Sequence, residues 1–460
     1  MEKRTSRKSS RERLSELINM LREEIVTGKR PIGDYLPAEK TLAEDYNLSN
    51  QSVRKGLETL VAEGLIEKIP RVGTKVIGLH DDSIPTVKLG FHSSVTGEAD
   101  MHRLLELFQQ TNPHIRVLAV PTASNNYSYI RDYLANGMLD VVMMNYTNFQ
   151  EFMENDAAGL LEPQERNPDL YPILSDAFMA DGRQLVQPFI FSPLILCYNR
   201  EHFREAQLSE PDSSWQWKDL IEASSKLAIP NERLGFHCDL YSMNRWPLLL
   251  LQHGGKFERQ EDGRLKLAGT RMMDALRYCG EMKQHIPSLR DGSVTGESEL
   301  FLAKGKVSMI MTSYFYLNYL LGEHLSFDVA PVPHLGTPMT MLLNTGLAVN
   351  RKSQVKEASV TLVEFLTSYQ AQLFVRQHTY SLPARKAAAE YVGEEKRYRP
   401  TRFSLFRETI PSFRYFTDLN ISASELSRIN QELKLYWAGL ETEEALCSQI
   451  EESYTAVSPV

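Results

Sequence analysis

Asn50, Gln51, Arg54 and Lys55 lie close together in the stretch LSNQSVRKGLETLVAEGL. Amide side chains suit the hydrogen-bonding edge of adenine, whereas Arg and Lys suit guanine edges and backbone phosphates. Ser49, just before them, is a good helix N-cap. Val53, Leu57, Leu60 and Val61 recur at helical spacing and form a stripe to be buried. The polar set falls mainly off that stripe and gathers at the helix's N-terminal end. That is the end a recognition helix presents to bases in the major groove.

Other elements must hold this helix in place. Leu14, Leu17, Ile18, Leu21 and Ile25 predict an amphipathic first helix. TGKRPIGDYLP breaks the chain with Gly28, Pro31, Gly33 and Pro37. A second helix is expected from Ala38 to Tyr46, with Asn47 in the turn before the third. LIEKIPRVGTKVI then reads as two β-rich runs around a tight turn near Arg71 to Gly73, a wing hairpin able to lie along a nucleic-acid backbone.

Charge supports this division. The whole chain has 460 residues and a formal net charge of -8, which argues against a plain nucleic-acid binder. Residues 1–78, however, hold 15 Lys+Arg against 12 Asp+Glu, so the acidic excess belongs to the remainder. Residues 1–13 alone carry six basic and two acidic groups, a candidate phosphate-seeking arm. The length calls for several domains or lobes. No apolar run is long enough to span a bilayer, and the basic N-terminus lacks the apolar core of a signal peptide, so a cytoplasmic location is expected.

Catalytic and metal chemistry finds little support. There is no GxSxG, HExxH, Walker loop or GxGxxG after the first predicted strand. Cys197, Cys238, Cys279 and Cys447 are far apart, and the His237–Cys238–Asp239 run has no second cluster to complete a metal site. No catalytic residue, metal or cofactor is assigned.

Beyond GLHDDSIPT, residues 78–86, the pattern changes to alternating strands and helices: VKLGFH, HRLLELFQQ, IRVLAV, YIRDYLAN and LDVVMMN. Such alternation predicts βαβ units and a mostly parallel sheet, with ligands at the carboxyl ends of strands. This selects His92, Ser93 and Ser94 after one strand, and Asn145, Tyr146 and Asn148 after another. In SYFYLNYL, Tyr319 is read as core, while Tyr314 and Phe315 are placed equally well as core or as a ligand platform at the start of a helix.

The N-terminal pieces GDYLPAEKTLAEDY, LSNQSVRKGLETLVAEGLI and GTKV, in that order and spacing, resemble the winged helix-turn-helix of the GntR family of bacterial regulators over residues 14–77. The resemblance implies base or phosphate contacts from Lys40, Asn50, Ser52, Arg54 and Gly73, and a double-stranded operator bound by a homodimer. The family usually carries Arg at the positions of Lys40 and Asn50 and Gly at that of Arg71. An altered operator follows from Asn50, and a compensating backbone contact from Arg71.

The longer part is similar to the family 1 extracellular solute-binding proteins of the maltose-binding type. GRQLVQPFIFSPLILCYNREHFREAQLSEPDSSWQWKDLIEASSKLA carries the resemblance, followed in order by WPLLLLQHGG, FLAKGKVSMIMTSYF, DVAPVPHLG, NTGLAVNRKSQVKEASVTLVEFLTSYQAQLFV and SLPARK. It implies two α/β lobes joined by crossovers near Phe189–Leu194 and Val329–Met341, closing on a ligand. The lobes would comprise about 87–190 plus 340–390, and 191–330 plus 391–460. Carried over by position, the cleft residues are Ser93, Asn145, Tyr146, Ser192, Tyr241, Asn244, Phe315, Asn344 and Arg414. Trp217 and Trp246 are assigned to the core.

The expectation is a multidomain chain: an α+β winged helix-turn-helix, then a bilobed α/β periplasmic-binding-protein-like domain over residues 87–460. The function implied is a ligand-responsive, DNA-binding transcriptional regulator sensing a sugar or oligosaccharide, with no membrane partner. A constitutive DNA binder whose large domain serves only dimerisation, and a sugar-modifying enzyme fused to a DNA-binding module, are the alternatives.

Overall fold

The computed structural model describes residues 10–26, 28–70, 72–77, 84–122, 126–284, 286, 296–395 and 399–452. The arm through residue 9, Arg71, residues 78–83 of the linker and the last eight residues lie outside the described residues.

The first helix, α1 (Ser10–Val26), packs on α3 (Asn50–Ala62), with α2 (Glu39–Asp45) completing the trio. Leu17, Ile18, Leu21 and Ile25 from α1 meet Val53, Leu57 and Leu60 from α3, all buried. The spacing that marked these residues is therefore the spacing of one apolar face. The crossing is close because position 56 is glycine: a Cβ there would lie 2.8 Å from Leu14 Cδ1 and from Ile18 Cδ1. Asn47 turns the chain between α2 and α3 with φ of 50°, a conformation Asn tolerates well. Strands β1 (Ile66–Ile69) and β2 (Gly73–Val76) pair antiparallel, with Ile66 opposite Val76, and form the wing.

The remainder is built on a ten-stranded sheet. Its strands include β3 (Thr86–His92), β4 (Arg116–Thr122), β5 (Val141–Asn145), β6 (Gln187–Asn199), β7 (Leu234–His237), β8 (Val307–Ser313), β9 (Phe327–Pro331) and β10 (Thr340–Val349). The principal order is β4-β3-β5-β10-β6-β8-β7, with β9 also on β6. β3 pairs parallel with β4 and β5, as the alternating sequence pattern requires.

β6 is the spine. Residues 187–193 pair with β10 in the first lobe, and residues 194–199 pair with β8 and β9 in the second. All thirteen residues of β6 are buried, so it reads as a continuous apolar run rather than an alternating one. The chain crosses back between β9 and β10. Each lobe has its own core: Phe91, Phe108 and Leu362 in the first, Trp217, Trp246 and Leu276 in the second. Trp217 Nε1 donates to Gln252 Oε1 at 2.8 Å and Trp246 Nε1 to Asn430 Oδ1 at 2.9 Å, satisfying both buried indoles.

The reader is not an isolated bead. α1 lies against β4, the edge strand of the first lobe, and one apolar cluster runs from Leu17 and Leu21 through Leu118, Val120, Tyr127 and Ile130. Helix α1 thus belongs to two cores and covers a sheet edge that would otherwise be left unpaired.

Candidate functional site

Two surfaces carry the chemistry. On the reader, Ser49 accepts a hydrogen bond from Ser52 N at 3.0 Å and caps α3, while its hydroxyl lies 2.8 Å from that of Ser52. The cap fixes where the helix starts, and so where Asn50 and Gln51 stand. Asn50, Gln51, Arg54, Lys55 and Lys40 are exposed on this face. Arg54 Nε donates to Glu39 Oε2 at 3.1 Å, and Lys68 Nζ to Glu39 Oε1 at 3.0 Å. Burial would raise the Glu39 carboxyl, but hydrogen bonds and charge from Lys68 and Arg54 hold it below its ordinary value. The ionised carboxylate ties α2, α3 and the wing strand β1 together and aims the Arg54 guanidinium. Lys40 Nζ lies 3.9 Å from Glu44 Oε1 on an exposed turn. Gly73 opens β2 with φ of 144°, close against the Tyr35 ring. Sequence reasoning missed Glu39; its only signal was an acid one residue before Lys40.

The second surface is a solvent-open cavity between the lobes, with a volume of about 250 Å³. Small-molecule sites run to roughly 300–1,000 Å³, so this one, open at its mouth, is of a size to take a small solute. Its wall in the first lobe comes from the end of β3, the short helix α4 (Val95–Glu98), the end of β5 and the start of the next helix, Tyr146–Glu154. The end of β8 and the turn Tyr316–Leu320 supply the opposite wall, with β10 along the floor.

Asn145, Tyr146, Asn244, Phe315 and Asn344 line this cavity. Asn145 Oδ1 caps its helix by accepting from Asn148 N at 2.8 Å. The Tyr146 hydroxyl lies 2.9 Å from Thr417 Oγ1, and its ring sits 4.1 Å from that of Tyr415, so it links the first lobe to the C-terminal segment. Asn344 Nδ2 donates to Leu174 O and to the Tyr415 hydroxyl, leaving Oδ1 without a partner.

Tyr314, Ser192, Ser93, Tyr241, Arg414 and Asn148 do not line it. Tyr314 is fully buried: its hydroxyl donates to Phe403 O at 2.8 Å and its ring packs edge-on against Phe403, so it is core rather than platform. Ser192 is equally buried, donating to Pro193 O and accepting from Tyr314 N at 2.7 Å. Ser93 faces solvent beside the cavity, where Ser94 takes the lining position. Tyr241 packs near Trp437 with Lys283 Nζ 4.9 Å above its ring. Arg414 Nη1 turns back to Pro411 O and Phe413 O. The helix expected to begin at Tyr314 is a 3₁₀ turn starting at Tyr316. Arg71 lies outside the described residues.

His92 and Ser94, selected at the end of β3, do line the cavity, and the structure adds Glu98, Ser313 and Tyr316. His92 Nδ1 and Ser94 Oγ are 2.9 Å apart, and burial lowers the imidazole below its ordinary value, favouring the neutral ring. Burial pushes the Glu98 carboxyl up to about 7, opposed by a hydrogen bond from Ser94. Among the described residues, no group of His, Cys, Asp and Glu is arranged to hold a metal ion, and all four cysteines are free and buried.

A DNA-reading module docked on a bilobed solute-binding domain is the class that this geometry defines. Residues 14–76 match the GntR family of bacterial regulatory proteins, and residues 105–398 match the bacterial extracellular solute-binding proteins. The second match spans more than half of the chain, which belongs to that family and carries a GntR-type helix-turn-helix at its N-terminus.

The uncharacterized HTH-type transcriptional regulator YdfD of Bacillus subtilis is 39% identical over 62 residues, covering 14% of this chain and 13% of that one. YieP of Escherichia coli, likewise an uncharacterized HTH-type transcriptional regulator, is 36% identical over 61 residues, or 13% of this chain and 26% of that one. The chain thus spans only about a quarter or less of the length of these curated relatives, over its reader alone. The Listeria monocytogenes substrate-binding protein Lmo0181, solved with cycloalternan, superposes with a TM-score of 0.66 at 21% identity over 80% of this chain and 98% of that one. Maltose-bound MalE3 of T. maritima gives 0.68 at 18% identity with the same coverage. At these identities the likeness establishes the fold. No helix among the described residues is long and apolar enough to cross a membrane.

Proposed function

We propose that this protein is a cytoplasmic transcriptional regulator that binds a double-stranded operator as a homodimer and senses a sugar or oligosaccharide between its lobes. The observation that carries the reading is the shared helix: α1 packs in the reader core and also on β4 of the solute-binding domain. A solute-binding domain joined only by a loose tether would have no such means of acting on the reader. The solved neighbours' ligands, cycloalternan and maltose, support a saccharide as the solute.

The mechanism follows from the placement of the parts. Solute draws the lobes together about β6 and the β9–β10 crossing. The reader, held to the first lobe by α1, moves with that lobe. In a dimer this changes the separation of two recognition helices that must span about one turn of DNA, roughly 34 Å. Solute shifts this equilibrium only by its differential affinity for the two states. Asn50 and Gln51 read base edges, Arg54 reads or anchors as Glu39 aims it, and Lys40, Lys55, Ser52 and the wing at Arg71 and Gly73 meet backbone.

The experiment is a thermal-shift screen of the full chain with mono- and oligosaccharides, followed by operator titration at fixed salt with any stabilising sugar. A sugar that stabilises the protein and changes its DNA affinity supports the reading. Stabilisation without any change in DNA affinity would favour a constitutive binder.

A further inference from the structure

We propose that the solute carries a protonated amine on a hydroxylated frame, with Glu98 as its counter-ion in the interlobe cavity. The inference rests on the sensor reading above and narrows it to a chemical class.

The first ground is the charge of the wall. Among the described residues, neither Lys nor Arg lines the cavity; the ionisable lining residues are His92, Glu98, Tyr146 and Tyr316. His92 is held toward its neutral form by burial and cannot serve as the missing cation. The buried guanidinium of Arg245, beside the lining residue Asn244, donates to Asn244 O, and its charge acts on Glu299 and Tyr316. Among the described residues, the hydrogen bond acting on Glu98 comes from Ser94. A half-buried carboxylate without a cation is costly, and a ligand ammonium would relieve that cost. A phosphorylated or acidic sugar would instead bring a second anion to a wall that has nothing to neutralise it.

The second ground is independent of charge. Ser313 Oγ and Asn344 Oδ1 are buried, with residue exposures of 0% and 1%, line the same cavity and have no hydrogen-bond partner. Such groups are paired in nearly all folded proteins, so two of them in one cavity call for a polar ligand. Hydroxyls on the frame supply both donors and acceptors. The rings of Phe315 and Tyr316, in the wall shared with Ser313, offer apolar and cation-attracting faces.

The direct test uses matched pairs differing at one group: glucosamine against glucose, and the fully deacetylated chitin disaccharide against cellobiose. Each is titrated into the full chain and into Glu98→Gln and Glu98→Asp variants. The amine is expected to bind the natural protein at least tenfold tighter than its hydroxyl twin. Glu98→Gln should abolish that preference, and Glu98→Asp, which keeps the charge, should retain its sign. Equal or tighter binding of the hydroxyl twin, or a preference that survives Glu98→Gln, would overturn the proposal and leave the sensor reading standing. Binding of neither member of any pair would count against the sugar-sensor reading itself, and the amine proposal with it.

Discussion

The Tyr133 hydroxyl donates to Glu23 Oε1 at 2.7 Å, joining a helix of the solute-binding domain to the first helix of the reader. Tyr133 lies on the helix Tyr127–Ala135, and it also borders a small cavity whose wall includes His92 and Met143. Both of those residues line the interlobe cavity as well. His92 and Met143, then Tyr133 and Glu23, therefore lead from the interlobe cavity to α1.

Removing that hydrogen bond should weaken coupling before it weakens either binding activity. Hydrogen bonds to charged groups contribute about 1.5–3 kcal/mol, less where water reaches them as it does here. Tyr133→Phe is expected to reduce the solute's effect on operator affinity severalfold. Solute affinity measured without DNA should stay within about twofold. A variant with unchanged coupling would mean that the signal leaves through another contact.

The proposed function places Asn50 at a base edge. Arg presents a bidentate fork suited to guanine, whereas the Asn amide suits adenine. Asn50→Arg should change the preferred base at one position of each half-site by about 1–3 kcal/mol, measured by selection from a randomised operator pool. An unchanged preference would place Asn50 against phosphate or water.

Gly56 permits the close approach of α3 to α1. A methyl group there would press on Leu14 and Ile18, whose ends can yield only by disturbing a packed core. Gly56→Ala gains helix propensity but should still lose on the order of 1 kcal/mol of reader stability, because overpacking typically costs 1–3 kcal/mol. Denaturant melts read the loss. Since α1 also serves the sensor, the first transition should involve residues on both sides of the α1–β4 contact.

The stability of the solute-free protein should depend on Glu98. Its carboxyl moves from an ordinary value of 4.5 up to about 7 on folding. The folded state therefore holds its proton through a range in which the unfolded chain has lost it. The stabilisation is complete below about 4.5 and is lost as pH rises toward 7. Thermal melts across this range should fall more steeply for the natural protein than for Glu98→Gln; parallel curves would refute the shift.

Where local pattern controls structure, the sequence was readable. The stripe of Val53, Leu57 and Leu60, the Ser49 cap and the Asn47 turn depend on neighbours a few residues away. Asn145 and Tyr146 were legible because a strand end is a local signal with a known consequence for ligand sites. The far wall was not. β8 is buried on both faces from Val307 to Ser313, so no polar–apolar alternation told which of Ser313 and Tyr314 would meet the cavity. Glu98 was hidden for a different reason: it belongs to a four-residue helix whose contact with the distant turn Tyr316–Leu320 leaves no local signal. The second role of α1 was equally invisible, because its apolar face was already accounted for by the reader core.

The central claim is that solute between the lobes controls the reader through the α1–β4 contact. It is tested most directly by operator affinity at fixed salt, with and without a stabilising sugar, in the natural protein and in a variant with a flexible segment inserted at Ser83. Docking through α1 predicts that the sugar changes operator affinity in both proteins, because the insertion lengthens the linker and leaves the contact in place. A sugar effect present in the natural protein and abolished by the insertion would contradict it, and would assign the coupling to the linker.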